Sequence, residues 1–360
     1  MAMPPGCGAA HVPEFVVRTT EGGCVGGRIS ATRDKMSPVK SHRHVSSMVA
    51  IKAPAKLTAT LEIVGTRPDG YHLLDALTAP LQRPHDVVSV TTGSEPVLAY
   101  SQQRSKDPSV DRVAIPGDVN NLAVAAALAM FESAGSPVEF LGETVHRSGL
   151  DGRLDRAWHL GVDKRIPAGG GLGGGSADAG AVIRLLGRIL SVSETDQRAV
   201  AAGLGSDVPI CWADAPMYMR GVGDVLNPAP RLESVWVVVT TPPLSVSTPE
   251  VYRMWDQMGG PVGHEVEAPR SWRGAVEVLR NDLEPAAHAV CPALASFADE
   301  LGALDRPATL AGSGASYVVW ARDAADASVI ADTLRGRTAV HAWVSEFPAA
   351  GGLDAASVKG

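Results

Sequence analysis

Ile166-Pro167-Ala168-Gly169-Gly170-Gly171-Leu172-Gly173-Gly174-Gly175-Ser176-Ala177-Asp178-Ala179 is the stretch on which the reading of this chain turns. Six of the seven residues from Gly169 to Gly175 are glycine. Without a Cβ, successive backbone N–H groups can turn inward and close on a ligand. Behind the glycines, Ala179, Val182, Ile183, Leu186, Ile189 and Leu190 recur at helical spacing, so an amphipathic helix is expected to open near Ser176. A helix start adds the positive end of its dipole to those amides, and the guest that suits both is a polyphosphate. Ser176, at or near the expected N-cap, brings a hydroxyl for a phosphate or for Mg2+. A flexible glycine linker would sit in polar low-complexity sequence, whereas this cluster abuts a well-patterned helix.

The familiar phosphate loops do not fit it. Gly169, Gly171 and Gly174 match G-x-G-x-x-G in form, but Pro167 interrupts the strand-to-loop junction. The acid some twenty residues on, Glu194, lies in a polar capping box and not at a strand end, so the Rossmann context fails. No lysine follows the glycines, as a Walker A loop requires. Neither His-Arg-Asp nor Asp-Phe-Gly occurs, which excludes the protein-kinase set. A phosphate loop of another class remains.

Around the loop the chain reads as alternating strands and helices. Leu57, Ala59, Leu61 and Ile63 alternate with Lys56, Thr58, Thr60 and Glu62, the period of a half-buried strand with Lys56 and Thr58 on its polar face. A Pro68-Asp69-Gly70 turn follows, then a short strand over Asp86–Thr92. Asn120 or Asn121 caps an alanine-rich helix running to about Gly135, and Ala157–Asp163 is strand-like. Ser193 and Asp196 open another helix that stops at Leu204-Gly205. Val235–Thr240 is a buried strand, and Thr248-Pro249-Glu250 starts a helix. Ala308–Leu310 and Tyr317–Trp320 flank a second glycine loop, Gly312-Ser313-Gly314, before a helix and a strand over Ala339–Val344. This order implies an α+β chain of two lobes, not a doubly wound parallel sheet.

Charge and composition narrow the function classes. With 360 residues, 32 basic and 39 acidic, the net charge is −7. Six basic and three acidic side chains fall in residues 1–49, so the remaining body carries −10. An acidic body excludes a nucleic-acid polymer as partner. The longest apolar run, Leu122–Phe131, is half of the ~20 residues a membrane span needs, so no membrane partner is expected. Cys7, Cys24, Cys211 and Cys291 show no C-x-x-C spacing, and a reducing cytoplasm is the expected compartment. Residues 1–48 lack periodicity and are expected to be a disordered extension; Met48, directly before the first strand-like run, marks a candidate start. Residues 349–360 read as a loose tail.

Taken together, these motifs resemble the GHMP kinase superfamily. Its ATP loop is similar to Ile166–Ala179, its N-terminal motif to Pro54-Ala55-Lys56-Leu57, and its C-terminal glycine motif to Leu310-Ala311-Gly312-Ser313-Gly314-Ala315. The match narrows to the family that phosphorylates 4-diphosphocytidyl-2-C-methyl-D-erythritol in the non-mevalonate isoprenoid pathway. Its further motifs are similar to Gly65-Thr66-Arg67-Pro68-Asp69-Gly70-Tyr71-His72, Leu204-Gly205-Ser206-Asp207-Val208-Pro209, Gly221-Val222-Gly223-Asp224 and Asn281-Asp282-Leu283-Glu284.

The resemblance implies a two-lobe fold. An N-terminal lobe like ribosomal protein S5 would span 49–215 and a ferredoxin-like C-terminal lobe 216–348. It implies ATP and Mg2+ as cofactors, a cytidine-diphosphate-linked small molecule as substrate, and a monomer or homodimer. Asp207 corresponds to the catalytic aspartate that accepts the hydroxyl proton, and Lys56 to its partner lysine. Pro167 to Ala177 corresponds to the ATP-binding segment, with Ser176 a metal donor. Tyr71, His72, Thr58 and Tyr252 correspond to substrate contacts, Tyr252 as the aromatic that stacks on cytosine.

Three positions depart from the family pattern: Thr58 stands for asparagine, Ala177 for a second loop serine, and Ala311 for serine. Two other readings stay open, a GHMP kinase for another alcohol of the mevalonate or homoserine type, and a nucleotide-binding relative without catalysis.

Overall fold

The structure is a computed structural model that describes residues 48–104, 115–143, 156–229, 234–260, 280–337 and 341–348. The extension before Met48 and the tail after Pro348 lie outside the described residues, as do Cys7 and Cys24. Two sheets organise the rest. β1 (Met48–Thr66) and β2 (His72–Thr91) run antiparallel along nearly their whole length, joined through the expected turn at Asp69-Gly70, where Gly70 takes φ +87°. The short strand expected at Asp86–Thr92 is therefore the end of a twenty-residue strand.

β2 serves two neighbours in succession. Val87–Thr91 pairs with β5 (Trp158–Lys164), and β3 (Val97–Arg104) then lies parallel between β5 and β4 (Glu139–Glu143). Leu74–Thr78 pairs with β6 (Met217–Gly221), whose outer neighbour is β7 (Val225–Pro228). β6 and β7 thus belong to the first sheet. The change of sheet comes after Pro228, beyond the division expected at 215/216.

Against this sheet pack α1 (Leu122–Ser133) and α2 (Gly174–Leu190), with α3 (Glu194–Leu204) and α4 (Val208–Ala213) alongside. Asn121 is the cap of α1, its side chain accepting from the Ala123 amide at 2.9 Å. Leu57, Leu81, Leu160, Val182 and Leu186 share the core beneath. Each buried side chain of this size contributes about 1.5–3 kcal/mol by leaving water.

The second sheet is antiparallel in the order β11 (His341–Phe347), β8 (Val235–Thr241), β10 (Tyr317–Trp320), β9 (Ala308–Leu310). It packs with α5 (Thr248–Gln257), α6 (Glu284–Val290), α7 (Pro292–Gly302) and α8 (Ala324–Arg335) around Val251, Leu294, Phe297, Tyr317 and Ile330. The final strand, expected at Ala339–Val344, is described over His341–Phe347; residues 339 and 340 lie outside the described residues. No helix among the described residues is long and apolar enough to cross a membrane.

One expectation fails instructively. β1 is not half-buried: Lys56, Thr58 and Thr60 are as enclosed as the apolar residues between them. Their polar face is covered by the glycine loop and by the Arg280–Asp282 segment. The Leu172 carbonyl accepts from the Lys56 amide at 3.0 Å, and the Arg280 carbonyl accepts from the Leu61 amide at 2.8 Å. Bulges between Pro54 and Lys56 and between Thr58 and Thr60 bracket the stretch, within which the Lys56 ammonium meets Asp207, Thr58 Oγ1 meets Thr78 and Thr60 Oγ1 accepts from the Leu77 amide.

Candidate active site

The glycine loop is held by backbone geometry that only glycine satisfies cheaply. At Gly171, with φ +76°, a Cβ would stand 2.1 Å from the Ala311 carbonyl oxygen. At Gly173, with φ +66°, it would stand 2.8 Å from the Lys56 side chain. The first glycine loop therefore nests directly against the second, and the Ser316 amide donates to the Gly170 carbonyl at 3.1 Å. α2 starts earlier than expected: Gly173 is its cap, in the left-handed conformation, and Ser176 is the third helical residue. A glycine caps without any side chain, so the hydroxyl of Ser176 is not spent on the helix end.

A cleft of about 620 Å³ opens between the two lobes. Lys56, Thr58, Asp207, Tyr71, His72, Tyr252, Gly171 and Gly173, all singled out from sequence, line it together. Lys56 Nζ lies 3.2 Å from Asp207 Oδ2 and 3.4 Å from Thr58 Oγ1, and Thr58 Oγ1 also accepts from Thr78 at 3.3 Å. Asp207 precedes the first residue of α4 but makes no capping hydrogen bond to it, which leaves its carboxylate to the β1 lysine. Burial and then the charge of Asp207 push the Tyr252 phenol up to about 12, which keeps it a hydrogen-bond donor. The remaining loop residues divide: Leu172 and Ala177 are packed in the core, while Ser176 is half-buried outside the cleft wall.

Several residues in or beside the cleft were not among the expected site residues. Asp256, on α5, sits 2.7 Å from His72 Nε2, and the His72 ring lies 4.9 Å from that of Tyr252. Arg253 extends from the same helix into the cleft, exposed. Thr248, expected to cap α5, leaves that place to Ser247 and instead meets the Ser313 hydroxyl at 2.6 Å, joining α5 to the second glycine loop. Asn281 donates to the carbonyls of Leu310 (2.9 Å) and Gly312 (2.7 Å), while Asp282 Oδ2 accepts from the Ile63 amide at 2.9 Å. Such pairings join residues far apart in the chain, and no local spacing announces them. For Asn281-Asp282 the quoted motif was the available signal; for Asp256 there was none.

Behind the glycine loop, Lys164 bonds both Asp86 and Asp178. Burial pushes the Asp178 carboxyl well up, as does the neighbouring Asp86, against the pull of Lys164. Lys164 is pushed up as well, because the two carboxylates outweigh the burial that opposes its charge.

Known proteins place this arrangement. The model for the GHMP kinases N terminal domain matches residues 121–218, a span that holds the first glycine loop and Asp207. The 4-diphosphocytidyl-2-C-methyl-D-erythritol kinase of Paramagnetospirillum magneticum is 33% identical over 74% of this chain and 87% of its own length. The chain belongs to the 4-diphosphocytidyl-2-C-methyl-D-erythritol kinase family. A crystal structure of 4-(cytidine 5'-diphospho)-2C-methyl-D-erythritol kinase superposes with a TM-score of 0.66 at 29% identity, covering 82% of this chain and 98% of that one. L. major mevalonate kinase, at 13% identity and a TM-score of 0.58 over 89% of this chain and 99% of its own, shares the fold. The two-lobe α+β GHMP fold of the 4-diphosphocytidyl-2-C-methyl-D-erythritol kinases is thus the fold of this chain.

Proposed function

We propose that the chain transfers the γ-phosphoryl group of ATP to the 2-hydroxyl of 4-diphosphocytidyl-2-C-methyl-D-erythritol. The observation that carries this reading is the Lys56–Asp207 pair, 3.2 Å apart in one cleft with both glycine loops and the Tyr71, His72, Tyr252 group. In this reading Asp207 accepts the hydroxyl proton as the oxygen bonds to the γ-phosphorus. The bond from that phosphorus to its bridging oxygen breaks, and ADP leaves. Lys56 supplies positive charge where negative charge gathers, and the loop amides hold the nucleotide phosphates. Such a reaction depends on positioning and charge neutralisation more than on covalent chemistry.

The other end of the cleft suits the cytidine. Tyr71 is exposed at the mouth and Tyr252 lines the wall, so a planar base can lie against either ring. His72, held by Asp256 on Nε2, presents its imidazole to the same end of the cleft. ATP would enter as its magnesium complex. Among the described residues no three His, Cys, Asp or Glu side chains gather into a metal site. Ser176, three residues into α2 directly behind the loop, is the protein hydroxyl we assign to that ion, although it stands outside the cleft wall.

The test is direct. With ATP and Mg2+, the purified protein should release ADP with the cytidylyl alcohol and not with mevalonate or homoserine; the reverse preference would overturn the reading. Asp207→Asn should lower kcat by about a hundredfold or more, the size of a positioned general base, with ATP affinity little changed. A near-wild-type rate would remove Asp207 from the mechanism.

A further inference from the structure

Two amides and an ammonium behind the glycine loop converge on one carboxylate, and nothing in the phosphoryl transfer described above uses them. Asp86 on β2 is fully enclosed, Lys164 at the end of β5 is 3% exposed, and Asp178 on α2 is 4% exposed. Asp86 Oδ1 accepts from the amides of Arg165 (2.5 Å) and Ile166 (2.8 Å), the residues through which the chain enters the loop. Lys164 donates to the other oxygen of Asp86 and, at 2.6 Å, to Asp178 Oδ2. Asp178 lies one turn into the helix that the chain enters on leaving the loop. Entry, exit and the neighbouring strand are therefore tied at a single ammonium. The same ammonium lies under Gly174, 3.4 Å from where a Cβ would stand.

Stability alone does not account for this cluster. Buried ion pairs are commonly matched or exceeded by apolar residues of similar volume, because desolvation offsets their attraction. Asp178 Oδ1 also finds no hydrogen-bond partner among the described residues, a cost that an apolar side chain would not carry.

We propose that Asp86, Lys164 and Asp178 are positioning residues for the nucleotide. They set the span between the two ends of the glycine loop, and so the aim of its amides at the phosphates. They touch no substrate, and their effect falls on ATP and not on the acceptor alcohol. The proposal rests on the loop binding ATP, as in the proposed function.

The experiment measures binding, so that it reads separately from turnover. Titration calorimetry of the full chain with ATP, and separately with 4-diphosphocytidyl-2-C-methyl-D-erythritol, is compared across three variants. Asp178→Leu leaves the Lys164–Asp86 pair whole but cuts the exit tie; Asp86→Asn faces Lys164 with a second donor. Either should weaken ATP by about tenfold or more, the scale expected when a cradle is misaligned, with the alcohol within about twofold. Asp178→Asn keeps an oxygen for Lys164 and should restore ATP affinity to within about twofold of the wild type. Unchanged ATP affinity in Asp178→Leu, or equal loss of both ligands in it and in Asp86→Asn, would overturn the proposal. Should Asp86→Asn fail to fold, Asp178→Leu against Asp178→Asn decides alone. A wild type that binds ATP but does not phosphorylate the alcohol would count against the proposed function and leave this comparison intact.

Discussion

Lys56 stands at the centre of a short chain of polar contacts that runs from Asp207 through its own ammonium to Thr58 and on to Thr78. Thr58 is the weak member in length, at 3.4 Å, and gives the ammonium an acceptor inside β1 besides Asp207. Thr58→Val keeps the shape and removes the acceptor. A hydrogen bond from a charged donor contributes about 1.5–3 kcal/mol, and at 3.4 Å this one falls at the weak end, so kcat should fall roughly tenfold with the KM for ATP unchanged. Steady-state kinetics checks this, and a fall in ATP affinity instead would assign Thr58 to the nucleotide. At this scale the sequence was legible where a motif carried the residue. Lys56, Asp207, Tyr71 and His72 each lay in a quoted motif, and the structure puts all four in one cleft. Asp256 was not legible, because its partner His72 is 184 residues away and neither residue's neighbours signal the other.

Among the elements, the glycine loop was the most readable, since its glycines are demanded by backbone conformation and by close approach. What could not be read was which glycine met which constraint, because the obstructing atoms belong to Ala311 and Lys56, far off in the chain. Gly171 meets both constraints: an L residue there would have a left-handed φ and a Cβ 2.1 Å from a carbonyl oxygen. Gly203, in α3, meets neither, for nothing lies within 4 Å of its missing Cβ. Gly171→Ala should therefore cost about 1–2 kcal/mol from conformation alone, with the clash added, and weaken ATP further by parting the two loops. Gly203→Ala should stabilise by roughly 0.5–1 kcal/mol through helix propensity. Urea unfolding of the two variants checks the opposite signs; a shared sign would refute the argument. The start of α2 was misplaced at Ser176 for a related reason. A serine is the usual cap, and nothing in the sequence distinguished it from a glycine already turned left-handed at Gly173.

In the molecule as a whole, the two sheets are joined through contacts that no local spacing announces. β1 was expected to keep one face in water, a fair inference from alternation, but Lys56, Thr58 and Thr60 are buried, and the backbone of Leu61 and Ile63 beyond them forms the seam between the sheets. Asn281-Asp282 closes that seam. The Asp282 amide donates to the Leu61 carbonyl at 2.9 Å, its carboxylate receives the Ile63 amide, and Asn281 holds two carbonyls of the second glycine loop. A single dipeptide thus couples the first sheet to the loop that floors the cleft. If hydrogen bonding is what matters at Asn281, charge and donor count should outrank volume. Asn281→Ala leaves two buried carbonyls and the Leu283 amide without partners, and should destabilise by about 2–4 kcal/mol at 1–3 kcal/mol per orphaned group, discounted for relaxation. Asn281→Asp preserves volume but sets an acceptor against two acceptors, so it should be the worse of the two despite its closer shape. Thermal unfolding of both variants at neutral pH, with ATP affinity measured alongside, reads the order. An aspartate variant more stable than the alanine one would mean that packing, and not the hydrogen bonds of Asn281, joins the lobes.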